Sequence, residues 1–225
     1  MSLSGFEAST SLVSPPLTSA VAHPPLRLGI LASGSGSNFA AIAQAVEERQ
    51  LQASIAVLIY NNPDAQVAAR AAQIQVPTVL LNHRDYASRE ALDQDILKTL
   101  RSHRVEWVIM AGWMRRVTRI LVDAFADRML NIHPSLLPSF PGMHAVEQAL
   151  AAGVKITGCT VHQVRLAVDS GPIIAQAAVP VLANDTAASL QARIQVQEHR
   201  LYPVAIALAA QQAARLQPVS DLTSE

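Results

Sequence analysis

From Leu26 onward, short apolar runs alternate with segments of helical periodicity, and this alternation constrains the fold more than any other feature of the chain. Leu26 to Ala32 is an apolar run of the length of a buried strand, followed by the loop Ser33-Gly-Ser-Gly-Ser-Asn38. Phe39, Ile42, Ala43 and Val46 then recur at i, i+3, i+4 and i+7, which marks one face of a helix. A second apolar run, Ile55 to Tyr60, ends at Asn61-Asn-Pro63, and Asp64 is placed to cap an alanine-rich helix reaching about Gln73. Thr78 to Leu81 reads as a third strand. Ser88 to His103 reads as a helix with Leu92, Ile96 and Leu100 in its stripe, acids early and bases late, as the helix dipole favours. Val105 to Ala111 and Met129 to Ile132 supply two more strands.

Strands and helices at this spacing predict a Rossmann-like open α/β fold: a mostly parallel sheet with helices on both faces. Beyond Pro141 the pattern changes. A short helix near Val146 to Ala151 precedes two strand-like runs, Ile156 to Val164 and Ile173 to Val181, which predict an antiparallel C-terminal hairpin beside the parallel strands. From Thr186 a long terminal helix carries Leu190, Ile194 and Leu201 on one face, and Pro203 is expected to kink or split it. One domain over residues 26–215 is expected. Residues 1–25, rich in Ser, Thr and Pro without apolar period, are expected to be a disordered tail, and residues 216–225 a C-terminal tail.

Composition excludes several function classes. Lys+Arg and Asp+Glu balance at 17 each, so no electrostatic case exists for a nucleic-acid or membrane-surface partner. No run approaches the roughly 20 apolar residues of a membrane span, and the N-terminal stretch lacks the basic start and apolar core of a secretion signal. The single cysteine, Cys159, forbids an intrachain disulfide and a Cys-based zinc cluster, and its place in an alternating run makes it a passive strand residue. A cytoplasmic protein of a reducing compartment is expected.

The chemistry concentrates at Asn131-Ile-His-Pro-Ser-Leu-Leu-Pro138. Pro134 and Pro138 lack backbone donors and push His133 and Leu137 toward extended geometry, so a strand ends here with Asn131 and His133 projecting to one side. A carboxamide beside an imidazole can polarise a carbonyl and move a proton near neutral pH. A capped, hydrogen-bonded loop is the alternative for the same residues. Ser33 to Asn38 is either a tight turn without a ligand or a phosphate site, the latter because glycines admit a ligand close to the backbone and the following helix start offers free N–H groups. It is neither the dinucleotide fingerprint, since Phe39 takes the third glycine position, nor a P-loop. Asp169, in the turn Asp169-Ser-Gly-Pro172, could fold back onto His133 and fix its tautomer, or could be a plain turn residue. His144, His162 and His199 are expected to be structural, and no His/Asp/Glu spacing among them resembles a metal site. Arg89 and Glu198 lie on helices, where a solvated charge is the default.

These segments, in order, resemble the phosphoribosylglycinamide formyltransferases, folate-dependent enzymes of purine synthesis. The resemblance rests on Ser33-Gly-x-Gly-Ser-Asn38, Ala111-Gly-x-Met-Arg115, Asn131-x-His-Pro-Ser-Leu-Leu-Pro138, Pro141-Gly142, Gly158-x-Thr-Val-His162, Asp169-x-Gly-Pro172 and Gln197-Glu-His199, and it covers about residues 27 to 213. It implies formyl transfer from 10-formyltetrahydrofolate, a co-substrate and not a bound cofactor, to the amine of 5-phosphoribosylglycinamide (GAR). It assigns Asn131, His133 and Asp169 as the catalytic three and requires no metal. GAR would be held by Gly36, Ser37, Asn38 and by Gln195, Val196, Gln197 and Glu198. The folate cleft would use Arg89, Met114, Arg115, Arg116, Val117, Asn131 and the loop Arg165, Leu166, Ala167, Val168 and Asp169. Leu166-Ala-Val168 lacks the acidic residues that many members carry there. Partners are the two small molecules, with the enzyme a monomer or homodimer. A formyl-folate hydrolase would need no phosphate loop, a methionyl-tRNA formyltransferase would carry a further basic domain, and a non-catalytic binding module would lose the Asn, His or Asp.

Overall fold

The computed structural model describes residues 12–15, 23 and 25–216. Eight strands form one sheet: β1 (Leu12–Ser14), β2 (Leu26–Ala32), β3 (Ala53–Tyr60), β4 (Thr78–Leu80), β5 (Trp107–Met110), β6 (Met129–His133), β7 (Ile156–Gln163) and β8 (Ile173–Pro180). They lie in the order β1-β8-β7-β6-β5-β2-β3-β4. The five strands from β4 to β6 are mutually parallel, and β6, β7, β8 and β1 pair antiparallel.

Among the described residues six α-helices cover the two faces: α1 (Ser37–Glu47), α2 (Val67–Gln73), α3 (Arg89–Ser102), α4 (Arg119–Ala124), α5 (Ala145–Ala151) and α6 (Ala187–Leu216). One apolar core joins the sheet to α1, α2, α5 and α6 through Phe39, Ile42, Val67, Val146, Leu190, Ile194 and Leu201. The other joins it to α3 and α4 through Leu92, Ile96, Leu100, Leu121 and Val122. Burial from both sides explains why β5 and residues 28–32 of β2 read as unbroken apolar runs. α3 packs so closely on β2 that a Cβ at Gly29 would lie 2.4 Å from Leu100 Cδ2.

The chain leaves β2 toward β3 and β4, then returns to the other side of β2 as β5 and β6. The direction of winding therefore reverses between β2 and β5, and open α/β sheets bind ligands at the carboxyl ends of strands flanking such a reversal. The two loops there are tied together. Ser33 N donates to Gly112 O at 3.1 Å, and Met114 N donates to Ser33 Oγ at 2.9 Å.

Several sequence expectations need correction. Leu12–Ser14, inside the stretch expected to be tail, forms β1 and pairs with Gln176–Ala178 of β8. Asp64 does not cap α2: that helix starts at Val67 with Gln66 at its N-cap and no side-chain cap bond. Ser88 does cap α3, accepting from Ala91 N at 3.1 Å. α4 was not foreseen. Pro203 does not split α6, which runs continuously for 30 residues. Leu201, Tyr202, Ala205 and Ile206 are buried on either side of Pro203, and this packing outweighs the roughly 3 kcal/mol that an interior proline costs. Among the described residues no helix is long and apolar enough to cross a membrane.

Candidate active site

β6 delivers Asn131 and His133 to the carboxyl end of the parallel strands, beside the winding reversal. Its antiparallel partner β7 places His162 opposite Asn131 and Thr160 opposite His133. Paired residues on one sheet face touch. Asn131 Nδ2 lies 3.2 Å from His162 Nε2, while His162 Nδ1 lies 2.9 Å from the Gln163 carbonyl. A carbonyl only accepts, so His162 carries its proton on Nδ1 and presents a lone pair at Nε2 to the Asn131 amide.

His133 is buried, with Nε2 2.8 Å from the Phe140 carbonyl and Nδ1 3.3 Å from Asp169 Oδ2. Both neighbours are acceptors, so a ring protonated on both nitrogens satisfies both. Asp169, its side chain only 9% exposed, also accepts from Gly142 N at 2.8 Å, and its other oxygen is 3.6 Å from His162 Nε2. Burial alone would raise the Asp169 pKa. The His162 contact, the Gly142 N–H and the two imidazoles outweigh burial and hold it below the usual carboxylate value. The expected fold-back of Asp169 onto His133 is therefore present, and it includes a second histidine, His162, expected to be structural.

The loop after the histidine is held by polar contacts where its prolines supply no donors. Thr160 Oγ1 donates to Ser135 O at 2.7 Å and accepts from Leu137 N and Gln176 Nε2 at 3.0 Å each. Ser135 Oγ donates to Ser139 O at 2.6 Å. Phe140, His144 and Asp169 have φ of 53°, 60° and 51°, a conformation L-residues adopt at a cost on the order of 1 kcal/mol each. Backbone strain thus gathers around the Asn–His–Asp cluster.

A cleft of about 580 Å³ opens over this cluster. Asn131, His133 and Asp169 line it together with Met114, Arg115, Arg116, Val117, Arg165, Leu166 and Val168, as expected. Ala167 and Arg89 are not among its lining residues, and Arg89 is exposed at the first position of α3. Arg165 is tied by its guanidinium to Asp127 at 2.5 Å and Gln163 at 2.8 Å. Trp113, which beside Gly112 could line an aromatic pocket or be plain core, lines the cleft, as do Met143, His144 and Gln191.

The glycine loop turns at Gly36, with φ 74°, into α1, whose N-terminus has no side-chain cap, so its first N–H groups are left for a ligand. A Cβ at Gly36 would lie 2.5 Å from Val67 Cγ2, which accounts for glycine there. Asn38 Nδ2 donates to Glu198 Oε2 at 2.9 Å, joining α1 to α6. Glu198, expected to be a solvated charge if it had no ligand, is only 5% exposed. Burial raises its pKa, opposed by the Asn38 bond. Of its neighbours, Gln195 and Gln197 are half-buried and Val196 is 56% exposed, as a helical turn dictates: four consecutive residues cannot face one ligand. Cys159 is buried in β7, where burial and then Glu198 push its thiol pKa far up, so it is no nucleophile.

Comparison with known proteins agrees with this arrangement. The formyl transferase family model matches residues 26–206. The chain is 42% identical to the phosphoribosylglycinamide formyltransferase of Bacillus subtilis over 80% of this chain and 92% of that protein. It is 39% identical to that of Escherichia coli over 80% and 85% respectively. The crystal structure of glycinamide ribonucleotide transformylase 1 from Symbiobacterium toebii superposes with a TM-score of 0.82 at 46% identity, covering 83% of this chain and 88% of that one. With a shared fold, a family match across most of its length and the Asn–His–Asp cluster in place, the chain belongs to the formyl transferase family.

Proposed function

We propose that the chain transfers the formyl group of 10-formyltetrahydrofolate to the amine of GAR, giving formyl-GAR and tetrahydrofolate in purine synthesis. The observation that carries this is the convergence of Asn131, His133 and Asp169 under a cleft whose wall at Gly112 and Met114 is bonded to Ser33 of the glycine loop. The GAR amine attacks the formyl carbon, and negative charge develops on the formyl oxygen. Asn131 and His133 are the donors for that oxygen, each worth about 3 kcal/mol in the transition state. For His133 to reach it, one nitrogen must give up its present partner, and the Phe140 carbonyl is the neutral one. Asp169, 3.3 Å from His133 Nδ1, fixes the orientation of the ring. Collapse of the intermediate breaks the bond from carbon to N10, which takes up a proton as the amine loses one. Orientation of both substrates in one cleft lowers the barrier further.

In this reading Gly36, Ser37 and Asn38 hold the GAR phosphate, and Gln195, Gln197 and Glu198 contribute from α6. Met114 to Val117 and Arg165 to Asp169 enclose the folate. The partners are these two small molecules, and the cytoplasm is the compartment that suits them. The test is isotopic. With a carbon-13-labelled formyl donor and GAR, the label should appear in the formamide carbon of formyl-GAR by NMR. Label recovered only as formate would reassign the chain as a hydrolase.

A further inference from the structure

The acceptor residues named above share one shortcoming: none carries a positive charge, and Glu198 is an acid. A ribose 5-phosphate is a dianion near neutral pH, and backbone N–H groups supply only the partial charge of a helix end. A second cavity of about 580 Å³ lies between α1 and α6, outside the folate cleft, and Ser37 of the glycine loop lines it. Arg70, His199 and Arg200 line the same cavity. Arg70 reaches from α2 and donates through Nε to the Ser35 carbonyl at 2.8 Å, so its guanidinium is anchored to the loop. Among the described residues Arg70 forms no ion pair with any carboxylate. The acid lining this cavity, Glu48, is engaged by Gln44 Nε2 and Gln50 Nε2 at 2.7 Å each.

We propose that Arg70 is a specificity residue for the phosphorylated acceptor: anchored on the loop beside Ser37, its guanidinium supplies the positive charge that the 5-phosphate requires. The inference rests on the GAR reading above and names the charge that site lacks. Arginine suits the task because Nε can hold the loop while the remaining N–H groups face an anion. As an exposed cation it contributes through a salt-sensitive attraction. Discrimination between GAR and its dephosphorylated riboside therefore depends in part on Arg70.

The experiment compares wild type, Arg70→Ala and Arg70→Lys with GAR and with glycinamide riboside as acceptors at low and high salt. Arg70→Ala should raise the KM for GAR roughly tenfold, the loss of about one charge-assisted bond. It should leave kcat and the riboside kinetics unchanged and flatten the salt dependence. Arg70→Lys should recover most of the loss. An unchanged preference for GAR in Arg70→Ala, or an equal loss with both acceptors, would overturn the proposal, the latter because it reports a loop-positioning role alone. Calorimetric binding of ribose 5-phosphate separates this from the transfer reaction: equal affinity in wild type and Arg70→Ala defeats the Arg70 assignment whether or not GAR is formylated. Absence of GAR turnover by wild type, with Arg70-dependent ribose 5-phosphate binding intact, would defeat only the identity of the acceptor.

Discussion

Replacing Asp169 by Asn separates the chemistry of the site from its construction. Two donors converge on Oδ2 of this carboxylate, Gly142 N at 2.8 Å and His133 Nδ1 at 3.3 Å, while His162 Nε2 lies 3.6 Å from Oδ1. The amide oxygen of Asn can keep the Gly142 bond, but it removes the charge that holds the imidazoles. A charge-assisted bond is worth about 1.5–3 kcal/mol and a neutral one about 0.5–1.5, so each surviving contact weakens by roughly 1 kcal/mol. Relief from burying a carboxylate, the group's largest single pKa influence, offsets part of that. The net loss of stability should be about 1–2 kcal/mol, a fall in Tm of roughly 2–8 °C for a chain of this size. Turnover should fall by about 10²–10⁴, the usual weight of positioned proton transfer. The sign of the pH effect follows from the direction of the shift. Asp169 has its pKa lowered by folding, so its contribution is present above the unfolded carboxylate value and is lost as pH falls through the folded one. The stability gap between wild type and Asp169→Asn should therefore close in acid. The assay is spectroscopic folate deformylation with GAR, alongside thermal unfolding from pH 3 to 8. A folded Asp169→Asn protein turning over within threefold of wild type would refute the reasoning.

Other expectations follow from single contacts. Tyr202, fully buried, shares its hydroxyl proton between the Met110 and Leu130 carbonyls at 3.1 Å each. Tyr202→Phe should cost about 1 kcal/mol in urea unfolding, and an unchanged midpoint would remove its bridging role between β5 and β6. Asp93 is buried against α4, accepting from Thr118 N at 2.5 Å; burial raises its pKa against the opposing Thr118 bonds. Its contribution is present below the unfolded carboxylate value and is lost as pH rises through the raised one. Asp93→Asn should accordingly unfold at higher temperature than wild type at pH 7, with the difference vanishing near pH 4; a lower Tm at pH 7 would contradict this. Gly36→Ala forces an L-residue into φ 74° against Val67 and should displace the loop at a cost of about 1–2 kcal/mol. The KM for GAR should rise with little change in folate binding, and an unaltered KM would argue against phosphate at this loop.

The parallel strands were legible because burial on both faces writes them as continuous apolar runs, and the prolines around His133 marked where β6 ends. Other parts depend on long-range pairing that leaves no local trace. His162 joins the site only because the β7 register sets it opposite Asn131, a contact spanning 31 residues. α4, six residues long, is too short for a helical period to show, and it depends on Thr118 capping Ile120 N and on Asp93. β1 has three residues, and its meaning comes entirely from the β8 edge it covers. Arg70 sits on a helix, where a solvated charge is the default, and its bond to Ser35 appears only when α2 packs beside the glycine loop. Arg89, assigned to the folate by resemblance alone, opens α3 in solvent outside the cleft lining.

The central claim is formyl transfer to a phosphoribosylated amine, and one measurement tests it most directly. Purified protein and 10-formyltetrahydrofolate are mixed with GAR, with glycinamide lacking the phosphoribosyl group, or with no acceptor, and folate deformylation is followed by absorbance. The account predicts rapid deformylation with GAR alone, at a rate that collapses in the Asp169→Asn variant. Equal deformylation in all three mixtures, or none in any, would contradict it.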